Sequence, residues 1–359
     1  MSYEEKKQEI IDVCNKLMDL GLLVRTWGNV SCKIDDNHFL ITPSGIRYEN
    51  LTVDKIVLVN SNDLSYEGDI LPSSEKAVHA KIYNVRKDAE FIVHTHQPYA
   101  TAVGALGHGK IRLFDEDNNH IIIPIISYAL PGTQKLADNA GRKTVKYSSD
   151  NAFIMANHGT ICFGQTSKEA IKEALQLEVR SMNFLKSECR TDFEYGLVEG
   201  FSSHIENGKI IYDLPDVPAR IKNIHEEIYS TRHDINYIIH NKSDAITTVS
   251  RTANHMRPLN DDFAQLIGVS VKIPSRDDGH DKSHINVSNK CNVVFSFNDG
   301  AFCLGSNKSD AEAVALVLDK GCLAHIAVMR FGEGHFLSIW DCIKMNRNYK
   351  KHYSRLADN

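Results

Sequence analysis

No CxxC occurs in this 359-residue chain; its eight cysteines (Cys14, Cys32, Cys162, Cys189, Cys291, Cys303, Cys322 and Cys342) are scattered singly. That spacing excludes a thiolate zinc knot and fits reduced thiols rather than a disulfide framework. Cys162 and Cys303 lie in apolar runs and read as small buried hydrophobes. Also missing is any stretch near the ~20 consecutive apolar residues that a membrane helix needs. No basic run is present, and 46 acidic against 41 basic residues (net −5) leave no strong field for nucleic acid. The N-terminal residues Met1-Ser2-Tyr3-Glu4-Glu5-Lys6-Lys7 are charged and carry no apolar signal region, so a cytoplasmic protein without membrane contact is expected. What remains is an ordinary soluble composition, 24% charged, on a chain long enough for two domains and a large core.

Hydrophobic periodicity supplies the organisation. Residues 4–20 read as an amphipathic helix stopped by Gly21, and residues 28–34, 38–42 and 56–59 as strands. Pro72-Ser73-Ser74 opens a helix to about Arg86, which feeds a strand ending at His96. A strand at 121–123, a short helix opened by Pro131-Gly132-Thr133, and strands at 152–156 and 161–163 follow. The capping box Thr166-Ser167-Lys168-Glu169 then starts a long helix to about Lys186.

Two histidines, His94 and His96, stand two apart in an apolar strand, so both project from one face. A third, His158, closes another apolar run in Asn157-His158-Gly159. Among 17 histidines an HxH pair alone is weak evidence. Three imidazoles with an open fourth position, if the fold joins them, make the usual donor set of a catalytic zinc. Glu75 follows Ser73 and Ser74 at a helix start, where the dipole and unpaired N–H groups favour an anion.

Internal repetition is strong. Residues 82–96 align without gaps on 228–242 with six identities, at an offset of 146. Pro72 then meets Pro218 and His79 meets His225; Asn157–Gly164 matches Asn298–Gly305 at an offset of 141. His79 and His225 lie within helices and read as core or interface groups. The second copy keeps the framework and loses the chemistry: His94, His96 and His158 meet His240, Lys242 and Asp299, and Glu75 meets Ile221. It is expected to lack counterparts of the first ~70 residues and to be a truncated, catalytically dead repeat, with domains at 1–198 and 199–359.

Gly28-Asn29-Val30-Ser31, Thr42-Pro43-Ser44-Gly45, Ser73-Ser74-Glu75, His94-Thr95-His96 and Asn157-His158-Gly159, in that order, resemble the class II aldolase/adducin family over residues 5–190. Within the family they resemble the branch that cleaves ketose 1-phosphates of the fuculose 1-phosphate kind. The resemblance implies an α/β fold of α/β/α layers with a mostly antiparallel central sheet, here tandem-duplicated, and a homo-oligomer, dimer or tetramer. It implies that His94, His96 and His158 hold Zn²⁺, with Mn²⁺ or Co²⁺ also admitted. Asn29, Ser44, Gly45, Ser73 and Ser74 would cradle the phosphate of a small phosphorylated sugar. Glu75 would be the acid/base on the enediolate carbon as dihydroxyacetone phosphate and a small aldehyde form. Alternatives on the same fold are a sugar-phosphate 4-epimerase, a dehydratase, a decarboxylase, or a non-enzymatic adducin-like binding protein. The family's proton-donating tyrosine has no counterpart in 110–115, which leaves Tyr128, Tyr195, Tyr349 and Tyr353.

Overall fold

The computed structural model describes residues 2–107, 109–190, 193–275 and 285–353, the side chains of 352 and 353 excepted. Two compact units divide it, Met1–Glu188 and Cys189–Lys351. Residues 195 and 196 go with the second because the Tyr195 hydroxyl donates to the Leu316 carbonyl and the Gly196 N–H to Asp319.

The first unit opens with α1 (Tyr3–Asp19), whose Ser2 N-cap and Glu5 side chain form a reciprocal capping box and whose buried stripe is Ile10, Ile11, Cys14 and Leu17. Strands β1 (Asn29–Lys33), β2 (His38–Ile41) and β3 (Val57–Asn60) follow, then α2 (Lys76–Val85), β4 (Phe91–Thr95) and α3 (Pro98–Gly104). The unit continues with β5 (Lys110–Phe114), β6 (His120–Ile126), α4 (Gln134–Lys146), β7 (Ala152–Met155), β8 (Gly159–Gly164) and α5 (Ser167–Glu188). One eight-stranded sheet results, in the order β3-β2-β1-β4-β8-β7-β6-β5. Every pairing in it is antiparallel except β6 with β7. On one face Ile92, Phe153, Ile161 and Phe163 pack with Val78 and Ile82 of α2 and Leu136 and Ala140 of α4. Against the other lie α1, α3 and α5.

Three elements differ from the sequence reading. Helix α2 begins at Lys76, not at Pro72, because Pro72 bridges Pro43 and the Ser73 N–H donates to the Thr42 carbonyl, which keeps 71–73 extended. Helix α4 is 13 residues long rather than short, capped by the Thr133 hydroxyl. The Glu169 carboxylate accepts the Gln165 N–H while Thr166 caps Glu169, so the capping box is shifted by one residue on one side.

The second unit contains β9 (Ser203–Glu206), β10 (Lys209–Tyr212), α6 (Ala219–Thr231), β11 (Tyr237–Asn241), α7 (Asp244–Thr252), β12 (His255–Met256) and β13 (Val271–Lys272). After these come β14 (Val293–Ser296), β15 (Gly300–Gly305), α8 (Lys308–Phe331) and α9 (Ile339–Asn348). Its main sheet, β10-β9-β11-β15-β14, repeats β2-β1-β4-β8-β7 of the first unit. The registers agree: Phe91 faces Gly164 as Tyr237 faces Gly305, and Ser31 faces Ile92 as Ser203 faces Ile238. The expectation that nothing corresponds to the first ~70 residues is therefore corrected, since the β9–β10 hairpin takes the places of β1 and β2. It escaped notice because only Gly28 and Ser31 are echoed, by Gly200 and Ser203, across a hairpin too short to align. Among the described residues β3, β5 and β6 have no equivalent in this sheet. No helix among the described residues is long and apolar enough to cross a membrane.

Candidate metal centre

Strand pleat decides which face the histidines share. In β4, Ile92 packs on the α2 side, so His94 two residues on points the same way, towards the N-terminus of α2. Glu75 occupies the N-cap position there and is buried. The tight turn between β7 and β8, with Asn157 at φ 58°, brings in His158. Gly159 makes the approach feasible: a Cβ there would lie 2.4 Å from the Thr95 carbonyl oxygen and 3.2 Å from the His96 ring. Gly28, at φ 89°, clears the other side, where a Cβ would meet the His94 carbonyl oxygen at 2.4 Å.

The three imidazoles converge through one kind of nitrogen. His94 Nε2 lies 2.9 Å from His96 Nε2 and 3.0 Å from His158 Nε2. The Glu75 carboxylate closes the group, Oε2 at 2.9 Å from His94 Nε2 and Oε1 at 3.0 Å from His158 Nε2. The Thr160 carbonyl, 2.7 Å from His94 Nδ1, can only accept, so Nδ1 carries the proton and Nε2 presents its lone pair inward. Glu75 Oε1 is buried and takes no hydrogen bond from the protein. Burial opposes the charged carboxylate, and His94 and His158, when protonated, outweigh it and hold Glu75 well below the usual carboxylate range. The inward lone pair of His94, two further Nε2 atoms and the buried Glu75 anion at these separations fit a cation. A tetrahedral Zn²⁺ site with bonds near 2.0–2.1 Å separates its donors by about 3.3 Å. Glu75, assigned from sequence to acid–base work alone, thus also stands within the donor group.

Beside the cluster, Ser44 and Gly45 turn next to Ser73 and Ser74. The Ser44 N–H donates to the Leu71 carbonyl, Gly45 takes φ 74°, and Ser73 Oγ accepts the Glu75 N–H. Ser74 is exposed and Ser44 and Gly45 half-buried, so this corner is open to an anion beside the first turn of α2. The buried Asn29 donates from Nδ2 to Glu75 Oε2 at 3.1 Å, and its Oδ1 accepts from His79 Nε2 at 2.5 Å. The sequence reading gave Asn29 no tie to Glu75 and His79 no tie to the site. The only signal for His79 was its match to His225. Of the four tyrosines, Tyr128 and Tyr349 are half-buried and Tyr195 is engaged with Leu316, while the Tyr353 side chain lies outside the described residues.

The second unit shows the site dismantled. His240 Nε2 donates to the Asp299 carbonyl at 2.7 Å and Nδ1 accepts the Phe201 N–H, so no lone pair is left for a metal. Arg220, in the place of Ser74, pairs with Asp299 at 2.8 Å.

The family model described as Class II Aldolase and Adducin N-terminal domain matches residues 8–182 and again 189–326. Among curated relatives, L-fuculose phosphate aldolase of Escherichia coli is 34% identical over 194 residues, 54% of this chain and 88% of the relative. The enzyme of the same description from Haemophilus influenzae is 32% identical over 192 residues, 52% of this chain and 85% of the relative. A solved structure of L-fuculose 1-phosphate aldolase aligns with a TM-score of 0.47 at 27% identity, covering 54% of this chain and 90% of that one. Matched by the family model in both units, this chain belongs to the class II aldolase and adducin family, on its aldolase side, that of metal-dependent carbon–carbon lyases.

Proposed function

We propose that this protein cleaves a ketose 1-phosphate to dihydroxyacetone phosphate and a small aldehyde, using a divalent cation held by His94, His96 and His158. The observation that carries the reading is the convergence of three Nε2 atoms and the Glu75 carboxylate next to the Ser44–Gly45 and Ser73–Ser74 corner. Zn²⁺ suits this donor set best, and Mn²⁺ or Co²⁺ fits the same atoms. When bound, the cation supplies Lewis-acid polarisation of the ketose oxygens while the carbon–carbon bond breaks.

The chain's own groups do the rest. Ser44, Gly45, Ser73 and Ser74 receive the phosphate at the start of α2, where N–H groups and the helix dipole favour negative charge. Asn29 Nδ2 has two hydrogens, one given to Glu75 Oε2 and the other assigned to a phosphate oxygen of the substrate. The hydroxyl proton released as the aldehyde carbonyl forms passes to the ionised Glu75, which gives it to the carbon that loses the aldehyde and in the reverse direction takes it back. L-fuculose 1-phosphate is the first substrate to test. A Rhodospirillum rubrum relative, 34% identical over 180 residues (47% of this chain, 75% of the relative), is a 5-methylthioribulose-1-phosphate/5-deoxyribulose-1-phosphate aldolase, which keeps the ketose 1-phosphate and varies the rest.

Dihydroxyacetone phosphate in D₂O isolates the proton step from the aldehyde. The metal-loaded protein is expected to exchange one hydroxymethyl hydrogen, read by ¹H NMR, and to cleave L-fuculose 1-phosphate or a related ketose 1-phosphate. Glu75→Gln should keep the three imidazole donors yet exchange ~10²–10⁴-fold more slowly. Fully loaded protein that shows no exchange and no cleavage would overturn the proposal.

A further inference from the structure

A single file of buried hydrogen bonds leads from Tyr83 in the last turn of α2 to Glu75. The Tyr83 hydroxyl donates to Ser31 Oγ at 2.7 Å, and the Ser31 hydroxyl to His79 Nδ1 at 2.6 Å. His79 Nε2 then donates to Asn29 Oδ1 at 2.5 Å, and Asn29 Nδ2 to Glu75 Oε2 at 3.1 Å. The direction is forced from the far end. A carboxylate can only accept, so Asn29 must turn its nitrogen to Glu75 and its oxygen to His79. His79 must then hold its one proton on Nε2 and accept at Nδ1. Burial, with the neighbouring His94, lowers His79 to about 3, which keeps the ring neutral with a single proton.

The second unit supplies the comparison. There Ser203 Oγ meets His225 Nδ1 at 2.6 Å and the Tyr229 hydroxyl at 3.1 Å, reproducing the first half of the file. Phe201 stands in the place of Asn29 and Ile221 in that of Glu75, and His225 Nε2 is buried without a hydrogen-bond partner. The tyrosine–serine–histidine clamp therefore persists where there is no carboxylate to aim, and fastens helix to strand in both units. The last two links occur only in the copy with the metal cluster.

We propose that His79 is a positioning residue for proton transfer: through Asn29 it fixes Glu75 Oε2 and leaves Oε1 to carry the proton. The inference rests on Glu75 being the proton carrier. Without the His79 N–H, the Asn29 carboxamide is free to turn its oxygen to the carboxylate, which then loses its donor and its aim.

The test uses the full-length, metal-loaded protein and dihydroxyacetone phosphate in D₂O. His79→Leu and His79→Phe should retain metal and lose at least ~10-fold in the saturated exchange rate, with a smaller change in KM, as misorientation of a reacting group does. His225→Phe, which removes the same clamp from the second unit, should lower the thermal midpoint and leave exchange unchanged. In an Asn29→Ala background, His79→Phe should cost less than ~2-fold more, because the two residues act in series. Wild-type exchange in a folded, metal-loaded His79→Leu protein, or undiminished additivity with Asn29→Ala, would overturn the positioning role. If His79→Phe does not fold, Asn29→Ala alone decides, and full exchange there refutes it. Glu75→Gln separates the two levels: wild-type exchange in that variant removes the proton-carrier reading itself.

Discussion

At the residue scale, the same side chain takes opposite meanings in the two units according to where its second nitrogen is tied. His94 spends Nδ1 on the Thr160 carbonyl and keeps Nε2 for the cluster, whereas His240 spends both nitrogens on backbone partners. His240 and His225 then become pH liabilities. Burial, helped by the Lys242 charge against the opposing Asp299, lowers His240 to about 4, and burial with the neighbouring His240 lowers His225 to about 3. Both folded values lie below the unfolded ~6.5, so the unfolded chain takes up protons first and stability falls as pH drops from about 6.5 towards 4. Asp319 works the other way: burial raises it to about 6 against its hydrogen bonds from Ser243 and Gly196, so it favours the folded state as pH falls from 6 to 4. Two imidazoles against one carboxylate leave a loss of about 1.4 kcal/mol per pH unit in that window. Buried His325, also lowered, acts in the same sense as the imidazoles. Thermal melts at pH 7 and pH 5 check this, and a second-unit midpoint independent of pH would mean that these rings charge in place. That His94 and His96 share one face was legible because alternation in an apolar strand fixes it. The role of Asn29 was not, because a Gly-Asn pair before a strand looks the same whether its amide serves a turn, a phosphate or a carboxylate.

At the element scale, duplicated arginines show what holds the repeated helices. Arg86 follows α2, pairs with Asp88, and donates to the Asp150 carbonyl and Asn151 Oδ1 ahead of β7. Arg232 follows α6, pairs with Asp234, and donates to the Ser288 and Cys291 carbonyls and Asn292 Oδ1 ahead of β14. The guanidinium fork serves several acceptors that an ammonium, with its single nitrogen, cannot reach together. Arg232→Lys should therefore leave buried carbonyls unsatisfied and cost about 1–3 kcal/mol, with dihydroxyacetone phosphate exchange unaffected. Urea denaturation reads it, and an unchanged midpoint would show that water replaces the fork. Element identity was legible wherever periodicity was long, as in α1 and α5. It failed at α2, whose first expected turn is spent on backbone bonds to 42–44, and at the β9–β10 hairpin. These are choices made by distant backbone partners rather than by local propensity.

At the scale of the whole molecule, two copies of one framework have been kept, while the three-histidine and glutamate cluster stands in the first. The second copy keeps its strand order, registers and arginine fork, and fills the ligand positions with Lys242, Asp299 and Ile221. Relaxed demand at the site with retained demand on the core produces that pattern: apolar packing tolerates drift in its polar corners, and a donor set does not. Metal should accordingly stabilise only one half of the chain. A cation that binds the folded cluster and not the unfolded chain adds about 3 kcal/mol at a hundredfold excess over its dissociation constant. For a unit of this size that raises the midpoint by roughly 5–10 °C. Chelation should lower the transition belonging to Met1–Glu188 by that amount and leave the one belonging to Cys189–Lys351 in place, and added Zn²⁺ should restore it. Calorimetry of the full chain with and without chelator separates the outcomes. Equal shifts in both transitions would place metal in the second unit as well, against the engaged nitrogens of His240, and no shift at all would mean that the cluster of His94, His96, His158 and Glu75 holds no cation.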